Sequence, residues 1–463
     1  MPEVGLGRGD SARTKGDGST STTSSSVEFE ARVKEDPHAP KENAEWVKFM
    51  QDKTNYHALR SLSSVEFSDL QFLKSLLKGK RIIQLGESAH GAREFNMSKV
   101  RLIKFLHEEM GVNIVAFESP FFPFFSAMQS GANADVTALM KESIFRVWQT
   151  EEVRELFRYA QSTYKTPKPL RLVGFDCQLG AYFAENRKRP QLFREVLTQR
   201  KNKEYAEYIA KEDSAFVERL FVYPTLRKYL VENKARLIQR YDSLLRFLPD
   251  ITSARQAAPE QKELPAMIAA IEARNTIALI EQLTLHDGSD TFSQGLIGSF
   301  EVRDKTNADN IAALADVLYP GEKMVVWAHN THIRYNNKAI KHVEEPDPQY
   351  PRTTGSWLRE RFQGQLYTLG LYMYRGKIAQ NNRQIISVTK ATKGSLESIA
   401  YRALQQAVWI DFTRYSNKTS GNSWMFEAIT AKEWGQFAIY CVPREQYDGV
   451  LFVDTVNPPK YIQ

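Results

Sequence analysis

Four short polar stretches, each directly after an apolar run, hold the residue types that hydrolytic chemistry needs. They are Gly86-Glu87-Ser88-Ala89-His90-Gly91, Glu118-Ser119-Pro120, Asp176-Cys177-Gln178 and His329-Asn330-Thr331-His332. Of the 8 histidines, three (His90, His329, His332) fall here, beside the carboxylates Glu87, Glu118 and Asp176. An imidazole with an ordinary pKa of about 6.5 can take a proton from water at neutral pH, and a neighbouring carboxylate fixes its tautomer and steadies the imidazolium. Taken singly, Glu87 or Asp176 could cap a helix and His332 could be a core histidine bound to a carbonyl. Together they point to water activation without an obligatory serine. The serine alternative fails on the motif, because a nucleophile elbow needs Gly-x-Ser-x-Gly, and position 90, two after Ser88, is His rather than Gly. A mixed nitrogen and oxygen metal site from His329 and His332 with Glu87, His90, Glu118 or Asp176 is a further alternative. His-x-x-His in a loop lacks the i, i+4 geometry of helical zinc sites, and only Cys177 is near in sequence, so no metal and no cofactor is expected.

These stretches need a frame that brings them together. Arg81–Leu85, Asn113–Glu118 and Leu170–Asp176 read as short buried strands, separated by helical patterns from Arg93 to Met110, closed by Gly111, and from the N-cap Thr150 onward. Strand character returns at Lys323–Ala328, Gln365–Tyr374, Phe437–Val442 and Val450–Val456. Such alternation predicts an α/β fold with a mostly parallel central sheet flanked by helices, in which ligands bind at the carboxyl ends of the strands. Between them, patterns such as Thr225–Leu248 and Ala257–Leu285 are amphipathic and helical, so 191–295 is expected to be a helical insertion forming a cap over the active-site cleft. The remaining divisions are a Ser/Thr/Gly-rich tail (1–27) too polar to order itself, an N-terminal helical segment (28–78) with helices at Glu42–Asp52 and Ser68–Lys78, and two parts of the α/β core (79–190 and 296–463).

Composition narrows the function. Of 463 residues 42% are hydrophobic and 25% charged, the balance of a globular protein with a sizeable core. The net charge of +7 (62 Lys plus Arg against 55 Asp plus Glu) is spread along the chain, without the clustered basic stripe that nucleic acid would require. Two cysteines, Cys177 and Cys441, form no stapling framework, and no long apolar run marks a signal or a membrane span, so a cytoplasmic enzyme with a small-molecule partner is expected.

In order and spacing these motifs resemble the erythromycin esterase family. The corresponding segments are Gly86–Gly91, Glu118, Gly174-Phe175-Asp176, Trp327-Ala328-His329-Asn330-Thr331-His332, and Arg303-Asp304 with Asn310. The likeness runs from about Lys78 to Tyr447-Asp448-Gly449-Val450 and takes in a helix at Gly355; Asn307 departs from the methionine usual in the family. The resemblance implies a carboxylic ester hydrolase that opens a macrolide lactone by water attack, inactivating the antibiotic, with His90 as general base and no metal. Glu87 would orient or charge-balance the base and Glu118 would share its water network. Arg93 would hold a carboxylate or steady negative charge, and His329 and His332 would contact substrate or oxyanion. Asp176, Gln178, Asn330, Phe121 and Phe122 are candidate substrate-binding residues, with the phenylalanines equally readable as core. The alternatives are a related hydrolase or acyl-transfer enzyme, with or without metal assistance, acting on another ester or lactone in natural-product metabolism, and an idle binding protein on the same fold.

Overall fold

The computed structural model describes residues 43–131, 133–180, 183–285, 294–342 and 350–463. The expected tail, the segment 28–42 and the end of the insertion at 286–293 lie outside the described residues. The strands, in chain order, are His57–Ala58 (β1), Ile82–Leu85 (β2), Val112–Pro120 (β3), Arg171–Asp176 (β4), Lys323–Trp327 (β5), Lys341–His342 (β6), Leu366–Ala379 (β7), Ile385–Ser387 (β8), Ala407–Asp411 (β9), Ile429–Glu433 (β10), Phe437–Cys441 (β11) and Gly449–Val456 (β12). The main sheet runs β1-β9-β12-β7-β2-β5-β3-β4, with β8 paired to β7. From β12 to β4 every neighbouring pair is parallel, while β1, β8 and β9 pair antiparallel. A small antiparallel sheet, β10-β11-β6, stands apart.

Local sequence explains where the helices begin and end. Asn43 caps Ala44–Gln51 (α1) by accepting the Trp46 N–H at 2.9 Å. The helix expected over Ser68–Lys78 is instead a 3-10 turn at Ser68–Leu70 and one turn at Leu73–Leu76 (α2), with Asp69 drawn off to Arg101 and to the Arg60 N–H. Arg93–Met110 (α3) stops at Gly111, whose φ of 68° suits glycine. Next come Phe121–Met128 (α4), Val136–Ser143 (α5) and Glu151–Thr163 (α6), the last capped by Thr150, as its sequence predicts. Four helices follow: Arg189–Arg200 (α7), Lys203–Leu220 (α8), Tyr223–Leu245 (α9) and Leu264–Leu285 (α10). Pro190, Pro224 and Pro265 each sit second in their helix, where the missing N–H costs nothing, so α10 starts at 264 rather than at Ala257. Gln294–Ala313 (α11) returns to the sheet, followed by Asn330–Ile333 (α12), Thr354–Phe362 (α13) and Leu396–Tyr401 (α14).

Successive strand residues point to opposite faces, and both faces are buried. Ile82, Ile114, Met324 and Val326 pack under α9, α10, α11 and α13 through Tyr241, Met267, Ile311 and Leu358. Ile83, Val115, Val325 and Trp327 pack under α2, α3, α5 and α6 through Leu73, Phe95, Met140 and Leu156. The parallel strands therefore read as continuous apolar runs and are legible in the sequence. Strands β9 and β10 are not. The five residues of β10, Ile-Thr-Ala-Lys-Glu, include two charges that are buried only because partners meet them. Lys432 Nζ donates to the Tyr374 and Thr389 carbonyls, and Glu433 accepts from Arg334.

Candidate active site

The carboxyl ends of β2, β3, β5 and β4 lie side by side, with Leu85 level with Trp327 and Trp327 level with Phe117. His90 stands on the turn after β2. Its Nδ1 lies 2.5 Å from Glu87 Oε1, an oxygen that also accepts the Trp148 indole N–H at 2.8 Å. The other oxygen of Glu87 takes the Lys99 ammonium at 2.5 Å. Burial alone would raise the Glu87 pKa, but the Lys99 charge and the His90 bond hold it below its usual value, so Glu87 is an anion. Burial lowers the Lys99 pKa to about 8, against the pull of Glu87. The same ammonium lies 4.5 Å from the centre of the Trp327 ring.

Aromatic rings wall His90 in, and its exposure is only 2%. Trp148, His329 and Trp434 stand edge-on to it, with centroids at 4.8, 5.1 and 5.2 Å. Trp434 also stacks on His329 at 4.4 Å. This tryptophan follows β10 at a φ of 54°, and its N–H donates to the Ser88 carbonyl at 2.7 Å, which fastens the β10–β11 hairpin to the His90 turn. Gly91 continues the seam by accepting the Ala379 N–H at 3.0 Å.

Beside this pair lies a buried ionic cluster. Glu118 sits where the β3–β4 register shifts, between Phe117 and Pro120. Its Oε2 accepts the His329 N–H at 2.9 Å, and its Oε1 accepts from Arg303 at 2.9 Å. Arg303 also grips Asp176 at 2.5 Å. His332 is held between Asp304, 2.6 Å from Nδ1, and Glu118, 3.2 Å from Nε2. Burial opposes its charge, but Asp304 and Glu118 outweigh that and raise its pKa to about 9. Arg303 Nη1 also lies 3.2 Å from His332 Nε2, so the ring is enclosed by Asp304, Glu118 and Arg303.

The structure thus sorts the candidates. Glu87, His90, Glu118 and His329 converge. Arg93 does not join them, because its Nε turns to Glu152 at 3.3 Å. Asp176 is an ion-pair partner of Arg303, and its Oδ1 also accepts the Gln178 N–H, with Gln178 half-buried beside it. Asn330 uses its amide on the Leu371 backbone, its Nδ2 donating to the carbonyl and its Oδ1 accepting the N–H, which ties the β5 end to β7. Phe121 and Phe122 are each 3% exposed within the core that holds Phe175 and Leu179. His329 and His332 face different partners, and no group of three or more His, Cys, Asp or Glu among the described residues could hold a metal ion. Ser88 Oγ has no hydrogen bond among the described residues, so it forms no pair with His90, and burial pushes the Cys177 thiol well up. No helix among the described residues is long and apolar enough to cross a membrane.

Lys99, Trp148, Glu433 and Trp434 are site residues that the motifs do not reveal. One signal was available for Lys99, which follows Ala92 and Asn96 at helical spacing and so lies on the buried side of α3.

A family model described as erythromycin esterase matches residues 107–456. That span includes Glu118, Asp176, Arg303 and His329–His332, while the Gly86–Gly91 turn precedes it, a later start than the motifs suggest. YbfO of Bacillus subtilis (strain 168), which carries a provisional hydrolase name, is 34% identical over 412 residues, covering 87% of this chain and 89% of that protein. Three solved structures share the fold. A Bacillus cereus protein has a TM-score of 0.75 at 16% identity, covering 92% of this chain and 100% of that one. A succinoglycan biosynthesis protein has a TM-score of 0.72 at 18% identity, covering 90% and 98%. A histidine-to-asparagine variant of the erythromycin esterase EreC in its open conformation has a TM-score of 0.63 at 16% identity, covering 88% and 99%. The chain belongs to the erythromycin esterase family.

Proposed function

We propose that the chain is a hydrolase that opens the lactone of a macrolide such as erythromycin by histidine-activated water attack. The observation that carries this reading is the buried Glu87–His90 pair, 2.5 Å apart at Nδ1. With Nδ1–H directed to Glu87, His90 takes a water proton at Nε2, and the hydroxide so formed adds to the ester carbonyl carbon. Glu87 steadies the imidazolium, and Lys99 and Trp148 keep Glu87 ionised and in place. Collapse of the tetrahedral intermediate breaks the bond from carbonyl carbon to alcohol oxygen, and that oxygen leaves with a proton. In a lactone both products stay in one molecule, heavier by one water, and ring opening removes the antibiotic shape.

The walls of Trp148 and Trp434 suit an apolar ester better than a charged one. Because His90 is 2% exposed, substrate reaches it only when part of the surround moves. Helices α7–α10, which reach the β4 end through the Asn275–Asn310 and Asn310–Phe175 bonds, are assigned the part of the cap. The free, buried thiols Cys177 and Cys441 fit a reducing compartment, and the cytoplasm is the assigned location.

The test is mass spectrometry of erythromycin after incubation with the protein. A gain of one water with wild type but not with His90→Ala is the expected result. Unchanged erythromycin alongside cleavage of other esters withdraws the macrolide and keeps the chemistry. Absence of cleavage across aliphatic, aryl and lactone esters overturns the reading.

A further inference from the structure

We infer that Trp434 is a gate over the two site histidines and a specificity-determining residue. Its ring swings off His90 and His329 to admit the ester, then forms an apolar wall for the ester's larger group. This rests on the ester hydrolysis proposed above and adds to it the way in and a choice of substrate. Of the three rings standing against His90, two are fixed. Trp148 is 1% exposed, and its indole N–H is spent on Glu87 at 2.8 Å. His329 is 1% exposed, its backbone N–H held by Glu118 at 2.9 Å and its Nδ1 by the Thr331 N–H at 3.2 Å. Trp434 alone of the three is half-buried, touching both imidazoles on one side and reaching solvent on the other.

The turn that carries the ring is a fixed pivot. The Gln436 N–H closes it by donating to the Glu433 carbonyl at 3.1 Å. Both central residues have positive φ, 54° at Trp434 and 68° at Gly435, the pattern of a type I′ turn, for which Asn-Gly is the favoured pair. A bulky side chain in the left-handed region is strained, and a sequence that breaks a local rule in this way does so at functional sites. The backbone around it is tied on both sides. The Trp434 N–H donates to the Ser88 carbonyl at 2.7 Å, and the Thr389 N–H donates to the Gly435 carbonyl at 2.8 Å. A Cβ at Gly435 would stand only 3.1 Å from Ile378. The motion left to Trp434 is rotation of its side chain, a change that binding surfaces commonly make when a ligand arrives.

In the position observed, the ring centre lies 4.4 Å from that of His329, stacked, and 5.2 Å from that of His90, edge-on. It therefore fills the space beside both imidazoles that an ester must enter. Turned outward, the ring vacates that space and keeps an apolar face along its side. A long apolar group on the ester covers this face, and a short one does not reach it. A contact of one or two methylenes in an apolar site is worth about tenfold or more in kcat/KM, so the ring that closes the site also selects for the larger ester.

The test uses Trp434→Asn, which removes the ring while suiting the turn, and Trp434→Phe, which keeps a smaller ring. The probe is diethyl pyrocarbonate, which acylates accessible neutral imidazoles, read by peptide mass spectrometry at His90 and His329. His107, toward the other end of α3, is the control, with its ring nitrogens engaged by the Tyr159 hydroxyl at 2.6 Å and the Lys168 carbonyl at 2.9 Å. A gate open about a tenth of the time or less predicts that Trp434→Asn speeds modification of His90 and His329 about tenfold or more, with Phe between and His107 unchanged. Unchanged rates at His90 and His329 overturn the gate and leave the cap as the barrier. An equal gain at His107 marks general loosening and overturns it too. On the methyl and octyl esters of one acid, Trp434→Asn should cut the octyl-to-methyl ratio of kcat/KM about tenfold or more, and an unchanged ratio overturns the specificity role. Where wild type cleaves no ester, the proposed function fails, while the modification rates still decide whether Trp434 is the gate.

Discussion

Lys99 Nζ and Glu87 Oε2 lie 2.5 Å apart with both side chains wholly buried. The cation sits in the second turn of α3, and its charge keeps anionic the carboxylate that bonds His90. A buried ion pair of this kind is weak evidence for stability, because desolvation offsets attraction, but breaking it is costly.

Glu87→Gln leaves the Lys99 charge without its counter-ion. We expect a loss of about 3–5 kcal/mol in urea unfolding near neutral pH, together with loss of hydrolysis. An unchanged unfolding midpoint would show that the pair is not holding the turn.

Lys99 also sets a pH limit. Its folded pKa, about 8, lies below the ordinary 10.5, so between those values the native state binds fewer protons than the unfolded chain and the Lys99 contribution to stability rises with pH. Activity moves the other way, because Glu87 loses its counter-charge as Lys99 deprotonates. A fall in kcat/KM above about pH 8 is expected in wild type, and Lys99→Arg, which stays charged, should carry activity to higher pH. Coincident alkaline limbs for the two proteins would contradict this.

His332 has the opposite sign. Its folded pKa, about 9, lies above the ordinary 6.5, so its contribution is fully present below 6.5 and is lost as pH rises through 9. His332→Asn should cost about 3 kcal/mol at pH 6, by the rule of about 1.4 kcal/mol per pKa unit, and much less at pH 9.5. Chemical unfolding at the two pH values measures the difference, and a cost that does not shrink with pH would remove the charge from the account.

A separate buried acid lies among the insertion helices. Glu272 shares Arg189 with Asp213, but the arginine is 2.6 Å from Asp213 and 3.6 Å from Glu272, and burial raises the Glu272 pKa to about 7. A carboxyl raised from 4.5 to about 7 favours the native state below 4.5 and loses that advantage as pH climbs to 7. Glu272→Gln should therefore raise the melting temperature by several degrees at pH 8 and change it little at pH 5. A lower melting temperature at pH 8 would mean that the charge is needed.

The sheet was legible because β2, β3, β4 and β5 are largely buried on both faces and read as mostly apolar runs. Glu87, His90, Glu118 and His329 were legible because each closes such a run. Burial hides the rest. Lys99 is a lysine within a helical pattern, where a charge ordinarily marks the wet side, and only its partner Glu87 explains it. Glu433 and Trp434 come from a hairpin whose first strand carries Lys432 and Glu433, so alternation gives no sign of it. Arg93, Asp176 and His332 share the same strand-end surroundings as the four converging candidates. What separates them is partner choice, with Arg93 on Glu152, Asp176 on Arg303 and His332 on Asp304, and spacing along the chain does not encode it.

The most direct test of the central claim is hydrolysis of an ester in ¹⁸O-labelled water by wild type and by His90→Ala, with the product acid read by mass spectrometry. Water activated by His90 predicts one labelled oxygen in the carboxylate with wild type, and a rate lower by about a hundred- to ten-thousandfold in a folded His90→Ala. A His90→Ala protein that incorporates label at the wild-type rate would contradict it.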